Sequence, residues 1–212
     1  MGAGAQRPAA VLVDRLRERL AAGGDPVFIG IDGRSGVGKS TLAAAVSTNL
    51  AEPEDRAGRV TVIEGDDFYV GGSAEVWDRW TAAEKAERVI DWRRQRDVLR
   101  ALRGVGVATW HPFDWDAEDW DSDTVPLATE PTVARAARVV VLEGAYSCRP
   151  ELHDLLDLRV LLVAPGADRR RQLLEREGDA HQADWDARWA AAEDHYFGTT
   201  MPPEHFDLVL GS

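Results

Sequence analysis

The 212 residues of this chain predict an α/β protein, a three-layer sandwich in which helices cover both faces of a mainly parallel five-stranded sheet. Three observations lead there. Several short runs are almost continuously apolar, as in strands buried on both faces. Stretches of helical period separate them, as the crossovers between parallel strands require. The first apolar run also ends in a glycine-rich turn that passes straight into a helical pattern, a junction typical of such sheets.

Taken in order, "AAVLVDRLRERLAA" (9–22) sets Val13, Leu16 and Leu20 at helical spacing among charged residues, and Gly23-Gly24 ends the pattern, so that 1–24 forms an N-terminal helix. "PVFIGI" (26–31) is a β-branched and aromatic run bounded by turn residues, which reads as a strand, and "STLAAAVSTNLA" (40–51) reads as the helix after it. "RVTVIEGDDFY" (59–69) is a second strand that runs into acids. A long helix is expected over 82–103, broken by Gly104. "AARVVVLEGAY" (136–146) and "DLRVLLVAP" (157–165) are the third and fourth strands, helices follow over 167–177 and 184–197, and "FDLVLGS" (206–212) closes the chain as a short fifth strand.

Composition narrows the function. A formal net charge of −12 would repel a phosphate backbone, so nucleic acid is not an expected partner, although a local cationic pocket can still take a small phosphorylated ligand. Cys148 is the single cysteine, which rules out an internal disulfide and fits a reducing compartment. No secretory signal is evident and nowhere do eighteen apolar residues run together, so no membrane partner is expected and the cytoplasm is the expected location. The acidic stretch "DWDAEDWDSD" (114–123) reads as a solvated loop, and the five histidines show no metal-ligand spacing, so no zinc site is expected. The 25 basic residues include only two lysines, Lys39 and Lys85.

One of those lysines sits in the glycine-rich turn. Gly33, Arg34, Ser35, Gly36, Val37, Gly38, Lys39 and Ser40 satisfy G-x-x-x-x-G-K-[ST], the Walker A pattern, with a strand before it and a helix after it. Glycines let successive backbone N–H groups converge into an anion-binding nest, and the helix N-terminus adds its dipole to the same point. Gly33, Ser35, Gly36, Val37, Gly38, Lys39, Ser40 and Thr41 are therefore the expected nucleotide-binding residues. Lys39 supplies a compact charge for the β- and γ-phosphates, which the planar fork of arginine would fit poorly, and the Ser40 hydroxyl suits Mg²⁺.

Two further strand ends carry chemistry. "EGDDFY" places Asp66 where an acceptor hydroxyl would meet the γ-phosphate, and "VVVLEGAY" places Glu143 where a carboxylate could hold Mg²⁺ directly or through water. In this order and spacing, "GIDGRSGVGKSTLA", "DDFY" and "VVLEGAY" resemble the uridine kinase group of P-loop kinases, to which nicotinamide riboside kinase, pantothenate kinase and phosphoribulokinase are similar. The resemblance covers roughly residues 26–210. It implies a P-loop NTPase sandwich with a small lid, a catalytic base at Asp66 and the aromatic Tyr69 beside the acceptor. It also implies a metal-holding group of Ser40, Glu143 and Asp66, with ATP and Mg²⁺ as cofactors.

The resemblance further implies an arginine-bearing lid over 167–200, for which "ADRRRQLLERE" supplies Arg169, Arg170, Arg171 and Arg176. Three consecutive arginines cannot share a helical face, so Arg170, as a catalytic cation, and Arg176, as a nucleotide contact, are the two expected to reach the site. The region 70–132 should cap the acceptor, and a single domain spans 1–212. The acceptor motif of the family is matched only loosely, by Asp91-Trp92 and by Phe113 and Asp114 of "HPFDW" (111–115). Of the eight tryptophans, six fall between the second and third strands, which suits either a flat acceptor held by stacking or the filling of a small cap.

These features lead to an ATP- and Mg²⁺-dependent kinase of a small-molecule hydroxyl, a nucleoside or related ribosyl compound, compatible with a homodimer. The alternative is a nucleotide-dependent switch or regulatory binding module without such an acceptor, although no guanine-reading [NT]-K-x-D stretch occurs. A kinase of nucleoside monophosphates would need more fixed cations on the acceptor side than can be placed.

Overall fold

A computed structural model describes residues 3–23, 26–51, 59–70, 72–117, 125–178 and 183–211. Among them, five strands form one wholly parallel sheet: β1 (Val27–Asp32), β2 (Val60–Glu64), β5 (Val139–Glu143), β6 (Leu158–Val163) and β7 (Leu208–Gly211), in the order β2-β5-β1-β6-β7. Every residue of β1 and β5 is buried, which is why these stretches read as unbroken apolar runs. Val27 to Ile31 of β1 pair in register with Val139 to Glu143 of β5, so Glu143 sits opposite Ile31 and Asp32 follows one residue on, both at the carboxyl edge of the sheet.

Helices cover both faces. α1 (Ala3–Ala21) and α2 (Lys39–Leu50) close one core, where Leu12, Val13, Leu16, Leu42 and Val46 meet Ile29, Ile31, Val141 and Val160. α5 (Trp92–Val105) helps close the other, where Val98, Leu99 and Leu102 join Phe28, Ile63, Val140 and Leu142. The layered α/β sandwich expected from the sequence, a parallel five-stranded sheet with helices on both faces, is borne out. No helix among the described residues is long and apolar enough to cross a membrane.

Several details differ from the sequence reading. The helix expected over 82–103 is two helices, α4 (Ala82–Arg88) and α5, because Asp91 caps the second: its Oδ1 accepts from the backbone N–H groups of Arg93 and Arg94 at 3.1 and 3.2 Å. A short α3 (Ala74–Arg79), capped by Ser73, precedes them. An antiparallel pair, β3 (Val107–Trp110) with β4 (Thr132–Arg135), was not anticipated. Over 167–200, where a lid was expected, the chain forms α6 (Gly166–Glu177) and α7 (Ala183–His195), and α7 runs into a π-helical turn, Tyr196–Thr200. Residues 118–124, most of the acidic stretch, lie outside the described residues.

Candidate active site

The loop between β1 and α2 lies over the carboxyl edge of the sheet, where open α/β sheets bind ligands. Gly36 shows why this loop must be glycine-rich. Its φ is 73°, and a Cβ there would stand 2.5 Å from the Arg169 carbonyl oxygen of α6. Gly33 and Gly38 also adopt positive φ on either side of it. The Val37 side chain is buried beneath the loop, so only its backbone is available to a ligand. Lys39 curls back over the turn, donating from Nζ to the carbonyl oxygens of Gly33 at 2.9 Å and Arg34 at 3.3 Å.

Beneath the loop, the fully buried Asp32 accepts four hydrogen bonds. They come from the backbone of Gly33 at 2.8 Å, Tyr146 at 3.0 Å and Cys148 at 3.0 Å, and from the Tyr196 hydroxyl at 3.0 Å. One carboxylate thus ties the phosphate loop, the turn after β5 and the π-helical turn together. Burial raises its pKa to about 6 despite those donors and the nearby Lys39 charge. Tyr146 takes the uncommon φ of 60°, where its backbone N–H reaches Asp32.

The carboxylates gather opposite Lys39. After β2 the chain makes a one-turn 3-10 helix, Gly65–Phe68, and Gly65 approaches Gly144 so closely that a Cβ on Gly144 would meet the Gly65 Cα at 2.9 Å. That backbone contact brings the end of β2 against the end of β5, and with it Asp66 to Glu143. Glu143 is held above the usual carboxylate range mainly by burial and less so by Asp66 and Glu64, while a Ser40 hydrogen bond and the Lys39 charge oppose the rise. Glu64 and Asp67 are likewise raised, chiefly by burial and further by Asp66 beside them. The Ser40 hydroxyl beside two mutually repelling carboxylates, Glu143 and Asp66, would suit Mg²⁺, which would relieve the repulsion. Asp67 is turned away to accept from Trp110 Nε1 at 2.7 Å, leaving Asp66 to face the cleft.

That cleft, about 1180 Å³, runs from the phosphate loop to an aromatic wall. It takes in Ser35, Gly36, Gly38, Lys39, Ser40, Thr41, Asp66, Tyr69, Glu143, Arg170 and Arg176, which the sequence had singled out separately. Gly33 and Val37 belong to the loop without lining the cleft, and three others lie elsewhere. Asp91 is occupied in capping α5, Phe113 is buried against Tyr69 with ring centroids 4.9 Å apart, and Asp114 accepts from the backbone of Asp116 at 3.1 Å; none lines the cleft.

The structure also adds residues. Trp115 stacks on Tyr69, the centroids 5.2 Å apart and the planes within 21°, and Trp185 and Trp189 of α7 complete the wall. Their i, i+4 spacing puts both on one helical face, a signal that was present in the sequence. Arg169 reaches the phosphate loop as well, donating from Nη1 to the Ser35 carbonyl oxygen at 3.2 Å. Arg171 points away, paired with Asp168 at 2.8 Å. Glu193 of α7 accepts from Ser35, and nothing in the sequence marks it.

No protein-family model matches the chain. A curated uridine kinase from Halobacterium salinarum is 27% identical over 151 residues, 70% of this chain and 61% of that protein's length. A possible uridine kinase from Bacillus stearothermophilus shares the fold with a TM-score of 0.62 and 21% identity, covering 94% of this chain and 98% of the other. A candidate fructose transport system kinase from Silicibacter sp. TM1040 superposes with a TM-score of 0.64 at 21% identity, covering 95% and 98%. In sequence and in fold, the chain is similar to the uridine kinase-like P-loop kinases.

Proposed function

We propose that this uridine kinase-like chain transfers the γ-phosphate of ATP, with Mg²⁺, to a hydroxyl of a small planar metabolite such as a nucleoside or related ribosyl compound. The observation that carries the reading is that one cleft brings the phosphate loop, Asp66, Glu143 and an aromatic wall together. A switch needs the first of these and has no use for the last.

In this reading Lys39 leaves the carbonyls of Gly33 and Arg34 for the β- and γ-phosphates, and the loop amides with the α2 N-terminus hold the remaining phosphate oxygens. Ser40, with Glu143 and Asp66 nearby, would hold Mg²⁺, which neutralises charge on the phosphates when bound. Asp66 orients the acceptor hydroxyl and takes its proton as the bond to phosphorus forms. Arg169, Arg170 and Arg176, at the α6 side of the cleft, offset the charge that spreads over the transferred group. The region 70–132 caps the acceptor and 167–200 closes as the lid.

Tyr69, Trp115, Trp185 and Trp189 offer ring faces, accompanied by Asp66 and Asp186, so the wall favours a flat acceptor without a phosphate of its own. The test is ADP release with Mg·ATP across a panel of nucleosides, ribosyl compounds, vitamins and sugars. An acceptor-dependent rate with a nucleoside or ribosyl compound is expected. Hydrolysis of equal rate with and without every acceptor would point instead to a nucleotide switch.

A further inference from the structure

The apex of the phosphate loop is held from outside the loop, by residues of both lid helices. Glu193, on the last turn of α7, is a carboxylate only 3% exposed. Its Oε1 accepts from the Ser35 backbone N–H at 2.6 Å and from the Ser35 hydroxyl at 2.7 Å. The other end of the same residue is pinned by α6, through the 3.2 Å hydrogen bond from Arg169 to the Ser35 carbonyl oxygen. Arg34 and Arg169 flank Glu193 at 3.8 and 3.9 Å, and Arg34 is anchored in turn to Asp194 at 2.5 Å and over the Phe197 ring. A buried carboxylate flanked by two guanidiniums and bonded to two donors is a satisfied arrangement, and one whose loss leaves charges stranded.

We infer that Glu193 is a positioning residue for the donor phosphates: it fixes Ser35, and through it the path of Gly36 to Gly38, while tying the phosphate loop to the lid. The inference rests on the cradle's being a nucleotide site. It goes beyond that reading by assigning the set of the loop to a residue that is 158 positions away in the chain. Ser35 is fully spanned, its amide and hydroxyl held by α7 and its carbonyl by α6, so a displacement of either lid helix is transmitted to the turn the phosphates must enter. Because both bonds fall on Oε1, glutamine can reproduce them while losing the charge of the Oε2 that stands 3.8 and 3.9 Å from Arg34 and Arg169, so it separates the hydrogen bonds from the ion pairs.

The test is titration with the β,γ-imido analogue of ATP and Mg²⁺, followed by calorimetry, for the wild-type chain and for Glu193→Ala, Glu193→Gln and Ser35→Ala, each also melted thermally. Glu193→Ala should weaken binding by about tenfold or more and Ser35→Ala by a few-fold, while Glu193→Gln, which keeps the acceptor and loses the charge, should lose clearly less than Glu193→Ala, as expected of hydrogen bonds that preorganise a site. In steady-state assays the Glu193→Ala change should fall on KM for ATP, with KM for the acceptor unmoved. Wild-type affinity in Glu193→Ala, or a loss in Glu193→Gln as large as in Glu193→Ala, would overturn the inference and leave the cradle reading intact. Tighter binding by Glu193→Ala would overturn it too, since the carboxylate would then be a competitor of the phosphates. Should Glu193→Ala not fold, Glu193→Gln and Ser35→Ala still decide. A wild-type chain that binds no nucleotide overturns the cradle reading and this inference with it.

Discussion

The floor of the cleft and the side that α6 and α7 supply, proposed as its lid, are built on different principles. The floor is backbone: β1 and β5 are buried along their whole length, Gly36 fits only without a side chain, and Gly65 and Gly144 meet main chain to main chain. The lid is side chain. Arg169 and Glu193 reach the loop, Trp185 and Trp189 make the wall, and the partly buried Arg188 ties α7 to Asp78 by two hydrogen bonds of 2.7 and 2.8 Å. Backbone groups within a sheet have no rotamers to lose, so the floor is set once the strands pair. Long side chains have rotamer entropy to lose when they are ordered, which makes the α6 and α7 side the more adjustable half. In the proposed reading, chemistry that needs fixed amides falls to the floor, and recognition of the acceptor to the side chains of the opposite wall.

This contrast can be broken most severely at its junction. Asp66→Asn should lower turnover by about 10²- to 10⁴-fold while leaving affinity for Mg·ATP within a few-fold, because it removes a proton acceptor and keeps the floor. Single-turnover assays beside nucleotide titration would read both. Next comes the floor itself: Gly36→Ala, forced into positive φ against the Arg169 carbonyl, should cost about 1–3 kcal/mol in denaturant unfolding and abolish tight nucleotide binding. A Gly36→Ala chain of unchanged stability would mean that the loop is looser than its contacts indicate.

A pH series sharpens the comparison further, because Asp32 belongs to the floor. Its folded-state pKa, about 6, lies above its ordinary value of 3.8, so the folded chain binds more protons between those limits. Its contribution to stability is complete below about pH 4 and is lost as pH rises through about 6, an effect of roughly 3 kcal/mol at most. Glu143 acts in the same direction. Urea unfolding from pH 4 to 7 should show a downward slope that Asp32→Asn flattens, even though the variant is weaker overall for want of acceptors.

The lid gives the smaller effects. Trp115, half-exposed and stacked on Tyr69, should when changed to alanine raise KM for the acceptor by about tenfold, as a lost stacking face does, with KM for ATP unmoved. Arg171→Ala should leave both constants within about twofold, since its partners Asp168 and Glu175 are surface residues of the same helix.

Much of the floor was legible beforehand. The runs that became β1, β2, β5, β6 and β7 were readable because burial on both faces demands unbroken apolar sequence, and the loop was readable because its backbone can form only with glycines at set positions. The pair β3 and β4 was missed because "VATW" and "TVAR" are too short to display a period and lie far apart in the chain. Asp91, read from the sequence as an acceptor contact, does not line the cleft and caps α5 through the backbone N–H groups of Arg93 and Arg94, a role that a carboxylate ahead of a helix serves equally. Among the lid arginines, consecutive residues differ in direction by about 100° of helix rotation, so the reach of Arg169 depended on where α6 lies against the loop.

What the sequence by itself determined, then, is everything governed by local rules: which stretches are strand or helix, where a phosphate-sized nest forms, and which acids follow the strands. The tertiary structure alone decided the strand order, which puts β5 between β1 and β2 and so sets Glu143 beside Asp66. It alone decided that Glu193 meets Ser35 and that tryptophans from α7 face Tyr69 and Trp115 across one cleft. The physical reason is range. Helical period, glycine conformations and apolar runs act over a few residues, whereas a carboxylate finds its donor across 158 only after the sheet and both helix layers have closed around them.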